Sequence, residues 1–364
     1  MGSTRSTTPH HLPLSPPAGV IARTVDGLRA GTPVLLPVEG TYVLAAAHGS
    51  AGQPSGAAWL AVDRSDLEAS ITALSPAAGR LVRRLTPGPV VFRFPSELPG
   101  PAPTGVRAAR LTTHPFTLAV LAECVRPVVG LELADNAGGW TSTPTEAAAA
   151  AGLLLGPNAE VDSHDLPVPE GRTVATIVEV GFDGDSGGGG GAIRVARRGS
   201  YEERFIRKQL AMNVLFVCTG NTCRSPMAEA IASAMSPRAE SSGPSEGLAM
   251  RFTSAGTAAS SGASPSAEAV RAVKDLEIGA NLVSHRSRPL SRKLIAEADA
   301  IYTMSRSHMH AILELDPEAR DKVRLLDPDG HDVPDPVGLA DRVYMQTARS
   351  IMAMWERRLK ELAP

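Results

Sequence analysis

Residues 212–230 read MNVLFVCTGNTCRSPMAEA. Asn213–Val217 is a mostly apolar run closed by Gly220 and Asn221, which predicts a strand buried on both faces. Ser225 is a good helix N-cap and Pro226 suits the first helical position. Met227, Ile231 and Met235 then recur at i, i+4 and i+8, so the spacing predicts a helix over Ser225–Met235 with one apolar face. A buried strand, a Gly/Asn loop and a helix in succession is the opening unit of a parallel α/β sheet.

The pattern continues downstream. A polar Pro237–Gly247 insertion is followed by a strand at Met250–Ser254 and helices at Ser266–Leu276 and Leu290–Glu297. Strands at Ala300–Met304 and Val323–Leu326 come next. A last helix at Leu339–Leu362 carries an apolar stripe of Tyr344, Ala348, Ile351, Trp355, Leu359 and Leu362. This alternation makes 212–364 a doubly wound parallel-sheet domain whose site lies beyond the carboxyl ends of its strands.

Upstream, 21–210 reads as a second α/β domain. Strands are expected at Pro33–Pro37, Val90–Phe94, Val128–Leu133, Val174–Val180 and Ala192–Val195, with helices at Ser65–Leu74 and Pro115–Val125. Asp183–Gly191 ends in five glycines and reads as a flexible connector inside that domain. Tyr201–Lys208 is a domain end or short linker helix. Residues 1–20 hold too little apolar surface to fold and read as a tail. Its Met1-Gly2 and Ser6 match a myristoylation pattern, taken here as chance, and His10-His11 as tail rather than metal site. No signal-peptide core is present in this stretch.

Composition sets the outer limits. The chain has 364 residues, 43% of them hydrophobic, a length that suits about two domains. Thirty-six basic against 38 acidic side chains leave a charge of −2, so no global basic field recruits nucleic acid or lipid. Three cysteines (Cys124, Cys218, Cys223) exclude a disulfide-stapled scaffold and point to a reducing compartment. No apolar run approaches a membrane span. A soluble, cytoplasmic protein is expected.

Cys218 to Pro226 carries the chemistry. A loop from a parallel strand into a helix N-terminus aims several backbone N–H groups, and the positive end of the helix dipole, at one point. Gly220 and Asn221 tolerate the left-handed conformations such a nest requires. An anion belongs there, cradled by Thr219, Gly220, Asn221, Thr222 and Cys223. The same dipole, with Arg224, is expected to lower the Cys218 thiol toward a thiolate near neutral pH. Arg224 offers a planar fork for two phosphate oxygens, and Ser225 a hydroxyl for the thiolate. Together they indicate phosphoryl transfer through a cysteinyl-phosphate, with no metal ion and no cofactor. The proton donor is expected on the loop His331–Pro336: Asp335, stiffened by Pro334 and Pro336, is the choice, and Asp332 the reserve. Cys223 is expected to form a disulfide with Cys218 under peroxide, unless it merely packs the loop.

VLFVCTGNTCRSPMAEA closely resembles the signature of the low-molecular-weight protein tyrosine phosphatases, and Val333-Pro334-Asp335-Pro336 resembles their general-acid loop. The resemblance runs from Met212 to about Ala363 and includes Ser254-Ala255-Gly256. It implies Cys218 as nucleophile, Arg224 as phosphate ligand, Ser225 as thiolate donor, Asn221 as loop organiser and Asp335 as acid/base. The implied partner is a phosphorylated protein. Tyrosine-specific members carry a branched aliphatic residue at the position of Thr222 and aromatic residues after the Asp-Pro. Here Thr222 and Val337-Gly338 stand instead. In these features the chain resembles the bacterial protein-arginine phosphatases, so phosphoarginine is favoured over phosphotyrosine.

The order of elements in 21–210 resembles the YrdC-type threonylcarbamoyl-AMP synthases. Pro37-Val38-Glu39-Gly40-Thr41-Tyr42-Val43-Leu44, Thr86-Pro87-Gly88-Pro89, Ala134-Asp135-Asn136-Ala137-Gly138-Gly139 and Arg198-Gly199 stand near that family's motifs. Val38, Ala134 and Ala175 replace hydroxyl residues, and of the expected Lys-x-Arg only Arg64 remains. Loss of groups that hold ATP phosphates implies a surviving fold with synthase activity lost or altered. Nucleotide or RNA binding is the corresponding partner role. Three functional classes follow: a phosphatase with a degenerate partner domain, a bifunctional enzyme that still makes threonylcarbamoyl-adenylate, and a non-enzymatic ligand sensor.

Overall fold

The computed structural model describes residues 18–72, 76–134, 141–156, 161, 166–169, 174–182, 192–236 and 250–362. The myristoylation match, His10-His11, the pentaglycine run, the Pro237–Gly247 insertion, Ala363 and Asp135–Gly139 of the third YrdC-like motif lie outside the described residues. The chain divides into two compact units, Met1–Leu210 and Ala211–Pro364.

In chain order the first unit comprises α1 (Ala18–Arg29), β1 (Val34–Val38), β2 (Thr41–Ala47), β3 (Ala58–Ala61), α2 (Arg64–Thr72), α3 (Pro76–Leu85), β4 (Val90–Arg93) and β5 (Ala108–Leu111). Then come α4 (Pro115–Glu123), β6 (Val128–Glu132), α5 (Pro144–Leu155), β7 (Thr176–Phe182), β8 (Ala192–Arg197) and α6 (Glu203–Leu210). The eight strands form one mixed sheet in the order β1-β2-β6-β3-β5-β4-β7-β8. Pro37 is tolerated in β1 because that strand pairs on one side only, where a missing N–H costs no ladder bond. One core gathers α1, α4 and α5 through Val25, Leu28, Phe116, Val120 and Ala147; another gathers α2, α3 and α6 through Leu67, Leu81, Leu85 and Ile206.

Several of these elements differ from expectation. α1 begins at Ala18, inside the stretch read as tail, and buries Val20. β2 is buried along its whole length and therefore shows no alternation. β3 and β5 span four residues each, too short for periodicity to register. The single helix expected at Ser65–Leu74 ends at Thr72, and α3 follows it.

The second unit comprises β9 (Met212–Cys218), α7 (Arg224–Met235), β10 (Met250–Gly256), α8 (Ala267–Lys274), α9 (Arg292–Glu297), β11 (Ala300–Thr303), α10 (Arg306–Leu315), a 3-10 turn (Pro317–Lys322), β12 (Val323–Leu325) and α11 (Asp341–Leu362). Its four strands are all parallel, in the order β10-β9-β11-β12. Side chains of β9 alternate between two cores. Val214, Phe216 and Cys218 pack with α7, α8 and α11, whereas Leu215 and Val217 pack with α9 and α10. Helices thus cover both faces, as the doubly wound reading requires. Trp355 of α11 sets its ring edge-on to Phe216 at 5.5 Å and to Phe252 at 5.4 Å.

The chain leaves β9 toward β10 on one side, and β11 lies on the other. Cys218 therefore stands at the point where strand order reverses, with Gly256 its register partner on β10. Such a switch point opens a crevice at the carboxyl ends of the strands.

Candidate active site

The loop after β9 curls back on the sulfur that begins it. Asn221 takes φ of 54°, the left-handed conformation, and its N–H points at Cys218 Sγ from 3.3 Å. Ser225 Oγ lies 2.9 Å from the same sulfur. Cys223, not Ser225, is the N-cap of α7, so Ser225 sits within the first turn. The tight loop carries the helix start two residues earlier than the Ser-Pro signal suggests. That placement leaves the Ser225 hydroxyl free to face Cys218.

Asn221 is wholly buried and each of its polar groups is engaged. Its Nδ2 donates to Ser225 Oγ at 3.0 Å and Ser254 Oγ at 2.9 Å, and its Oδ1 accepts the Arg288 N–H at 2.9 Å. Its carbonyl oxygen lies 2.9 Å from His285 Nε2. Ser254 in turn donates to Glu229. The end of β10 staples the loop from outside: Thr257 N–H donates to the Cys218 carbonyl at 2.9 Å and Ala258 N–H to the Thr219 carbonyl at 3.0 Å. A Cβ on Gly256 would stand 2.4 Å from the Thr219 carbonyl oxygen, so only glycine admits this approach.

Arg224 is buried, donates to the Val333 carbonyl at 3.1 Å and pairs with the Asp335 carboxylate. The two candidate aspartates are used differently. Asp332 accepts the Arg306 N–H at 2.9 Å, at the start of α10, whereas Asp335 reaches the guanidinium beside the sulfur. Val333 anchors their loop, its N–H donating to the Met304 carbonyl at 2.8 Å. Arg358 holds the root of the loop, donating to the carbonyls of Leu325, Leu326 and Asp327 at 2.7, 3.2 and 3.2 Å.

Electrostatics differ from the sequence reading in one respect. Burial pushes the Cys218 thiol up from its ordinary value, and this outweighs the Ser225 hydroxyl, the amides of Ser225 and Asn221, and Arg224, which all pull it down. The expectation of a lowered thiol counted the cation and the dipole but not a cysteine only 3% exposed, beside a guanidinium already paired with Asp335. Cys223 is a free thiol, buried against Ser266 Oγ at 3.4 Å and Tyr344 Oη at 3.6 Å. Thr222 faces the same sulfur from 3.7 Å. Among the described residues no group of His, Cys, Asp and Glu is arranged to hold a metal ion, and no helix is long and apolar enough to cross a membrane.

The loop residues and Asp335 come together; Glu229 and Ser254, which join them, lie in the stretches that carry the resemblance, whereas His285 and His308 had no local sequence signal. In the first unit, Glu39 of the first YrdC-like motif accepts bonds from Arg110, Thr112 and Thr113. Burial pushes its carboxyl up, but Arg110 and the Thr113 amide outweigh this and hold it low. Arg110, 1% exposed, also pairs with Glu132, which takes Arg197 as well. Thr41 Oγ1 donates to the Thr141 carbonyl at 3.1 Å.

The low molecular weight phosphotyrosine protein phosphatase family model matches residues 213–363. The protein-arginine-phosphatase of Bacillus subtilis is 36% identical over 155 residues, 42% of this chain and 97% of that protein. The low molecular weight protein-tyrosine-phosphatase Wzb of Escherichia coli is 33% identical over 156 residues, 42% of this chain and 92% of that protein. A crystal structure of a YwlE mutant from Bacillus subtilis is similar at 35% identity and a TM-score of 0.38, covering 42% of this chain and 99% of that one. Through this carboxyl-terminal part the chain belongs to the low molecular weight phosphotyrosine protein phosphatase family.

Proposed function

We propose that 212–364 is a cysteine-dependent protein phosphatase that hydrolyses phosphoarginine, with Cys218 as nucleophile, Arg224 as phosphate clamp and Asp335 as acid and base. The observation that carries this reading is the convergence on one sulfur of the Ser225 hydroxyl and the Asn221 amide, with Arg224 bridging to Asp335. Amides of Thr219–Cys223 receive the phosphate oxygens. Arg224 exchanges Asp335 for the phosphate, which frees the carboxyl to meet the leaving group. The freed Asp335 carboxylate takes the Cys218 thiol proton, directly or through a water; the thiolate then attacks phosphorus, the P–N bond breaks, and Asp335 passes that proton to the departing guanidine nitrogen. Asp335 then takes a proton from water as its oxygen attacks phosphorus, and phosphate leaves with the thiolate restored. Ser225 supports both steps. Asn221 Nδ2 already donates to its oxygen, so its single proton is shared between the Ala255 carbonyl at 3.3 Å and the sulfur, and turns to the sulfur when that is charged.

Thr222 and the lack of an aromatic residue at Val337-Gly338 favour a guanidinium over a phenyl ring. One hydroxyl shifts binding by only ~1–3 kcal/mol, so the discriminating experiment is a ratio. Thr222→Ile is expected to raise the phosphotyrosine to phosphoarginine kcat/KM ratio about tenfold. An unchanged ratio removes Thr222 from the selection of substrate.

For 21–210 the reading is a YrdC-like domain that has lost or altered its synthase activity and binds nucleotide or RNA. What supports the loss of synthase activity is that Arg110 and Arg197 are committed to Glu39 and Glu132, which leaves these cations neutralised toward phosphates. A retained threonylcarbamoyl-AMP synthase activity is the alternative. A cytoplasmic setting fits a chain whose nucleophile must stay reduced.

A further inference from the structure

His308 lies in the first turn of α10, buried at 4% exposure. Both ring nitrogens are engaged: Nε2 lies 2.9 Å from Thr219 Oγ1 and Nδ1 lies 2.8 Å from Ser305 Oγ. Ser305 is the N-cap of α10, its oxygen accepting the His308 N–H at 3.4 Å and meeting Ser307 Oγ at 2.8 Å. The imidazole therefore spans from a rigid helix start, at the carboxyl end of β11, to the residue that follows Cys218. Thr219 is otherwise tied to β10 through its carbonyl. Its side chain is exposed, so nothing in burial requires that it point at this ring.

We propose that His308 is a positioning residue for phosphoryl transfer: it fixes the Thr219 side chain from the β11 side as β10 fixes its carbonyl, and so sets the amides that receive the phosphate. The proposal rests on the reading of Cys218–Arg224 as the phosphate site. Burial first, and the positive field of Arg224 second, pull the ring down to about 4, with Asp332 and Asp335 opposing. At neutral pH it is uncharged, so one nitrogen donates and the other accepts. A neutral ring suits the position: it orients the loop without setting a second cation beside Arg224 that would draw Asp335 away from the leaving group.

The test uses the full chain, with p-nitrophenyl phosphate turnover and vanadate binding measured side by side. His308→Ala is expected to lower kcat about tenfold and to weaken vanadate by a similar factor, the scale of one lost hydrogen bond at a developing charge. His308→Gln reaches Thr219 and is expected to restore most of both; His308→Asn reaches only Ser305 and is expected to restore neither. A purely structural histidine would respond to space filling, making Gln and Asn alike. Should His308→Ala fail to fold, Thr219→Val removes the same bond from the exposed side and must reproduce the losses. Equal behaviour of Gln and Asn, or a Thr219→Val protein like the wild type, overturns the role of His308 alone. A wild type that neither turns over nor binds vanadate overturns the phosphate-site reading with it.

Discussion

The Cys218 sulfur is held between opposing influences, of which burial is the larger. Burial disfavours the thiolate, and the Ser225 hydroxyl is the foremost of the groups that favour it, ahead of two amides and Arg224. A hydrogen bond to the charged form lowers a pKa, so its removal must raise it. Ser225→Ala is expected to move the midpoint of Cys218 alkylation by iodoacetamide to higher pH by about one unit, with turnover at pH 7 falling about tenfold. A midpoint that stays put would assign the thiolate to the backbone amides and Arg224. The sequence made Ser225 legible as a hydroxyl beside a cysteine. It did not show that the first turn of α7 begins before it, nor that Asn221 orients it.

At the scale of elements, the site is a meeting of strand ends. β10 approaches the loop so closely that Gly256 has no room for a side chain. Gly256→Ala is expected to cost about 1–3 kcal/mol, as overpacking against backbone does, and to lower kcat more than it raises KM because it displaces the loop amides. Urea unfolding and steady-state kinetics on the same variant check both parts; unaltered kinetics would mean that the loop is held elsewhere. Some elements were legible for local reasons. The stripe of α11 is buried as the spacing predicts, from Tyr344 through Ala348 and Ile351 to Trp355. Others carried a signal that hydrophobic periodicity hid: eight of the twelve residues of α5 are alanine or leucine, yet Thr143 and Glu146 form a full capping box with Pro144 behind the cap. α10 begins with the Ser305 cap and sets Met309, Ile312 and Leu315 three apart against one core, a short stripe that the sequence reading passed over.

For the whole molecule, two units with cores of their own imply separable activities. Expressed separately, 212–364 is expected to hydrolyse p-nitrophenyl phosphate in EDTA, and to lose this in Cys218→Ser. Residues 18–210 are expected to show no ATP consumption dependent on threonine and bicarbonate; such consumption would make the chain bifunctional. The amino-acid sequence by itself determined the parallel sheet of the second unit and the loop that turns from β9 into α7, because a buried strand, a Gly-Asn turn and an amphipathic helix are local patterns within one short stretch. It also brought forward Asp335, through the prolines on either side. What only the tertiary structure decided is the company these residues keep: Asp335 rather than Asp332 on Arg224, Gly256 against Thr219, and His285 and His308 bracing the loop from two directions. Those contacts join residues up to 111 positions apart, Arg224 to Asp335 being the longest. Side chains so distant in the chain leave no spacing to read; the register of β9 between β10 and β11 brings them together.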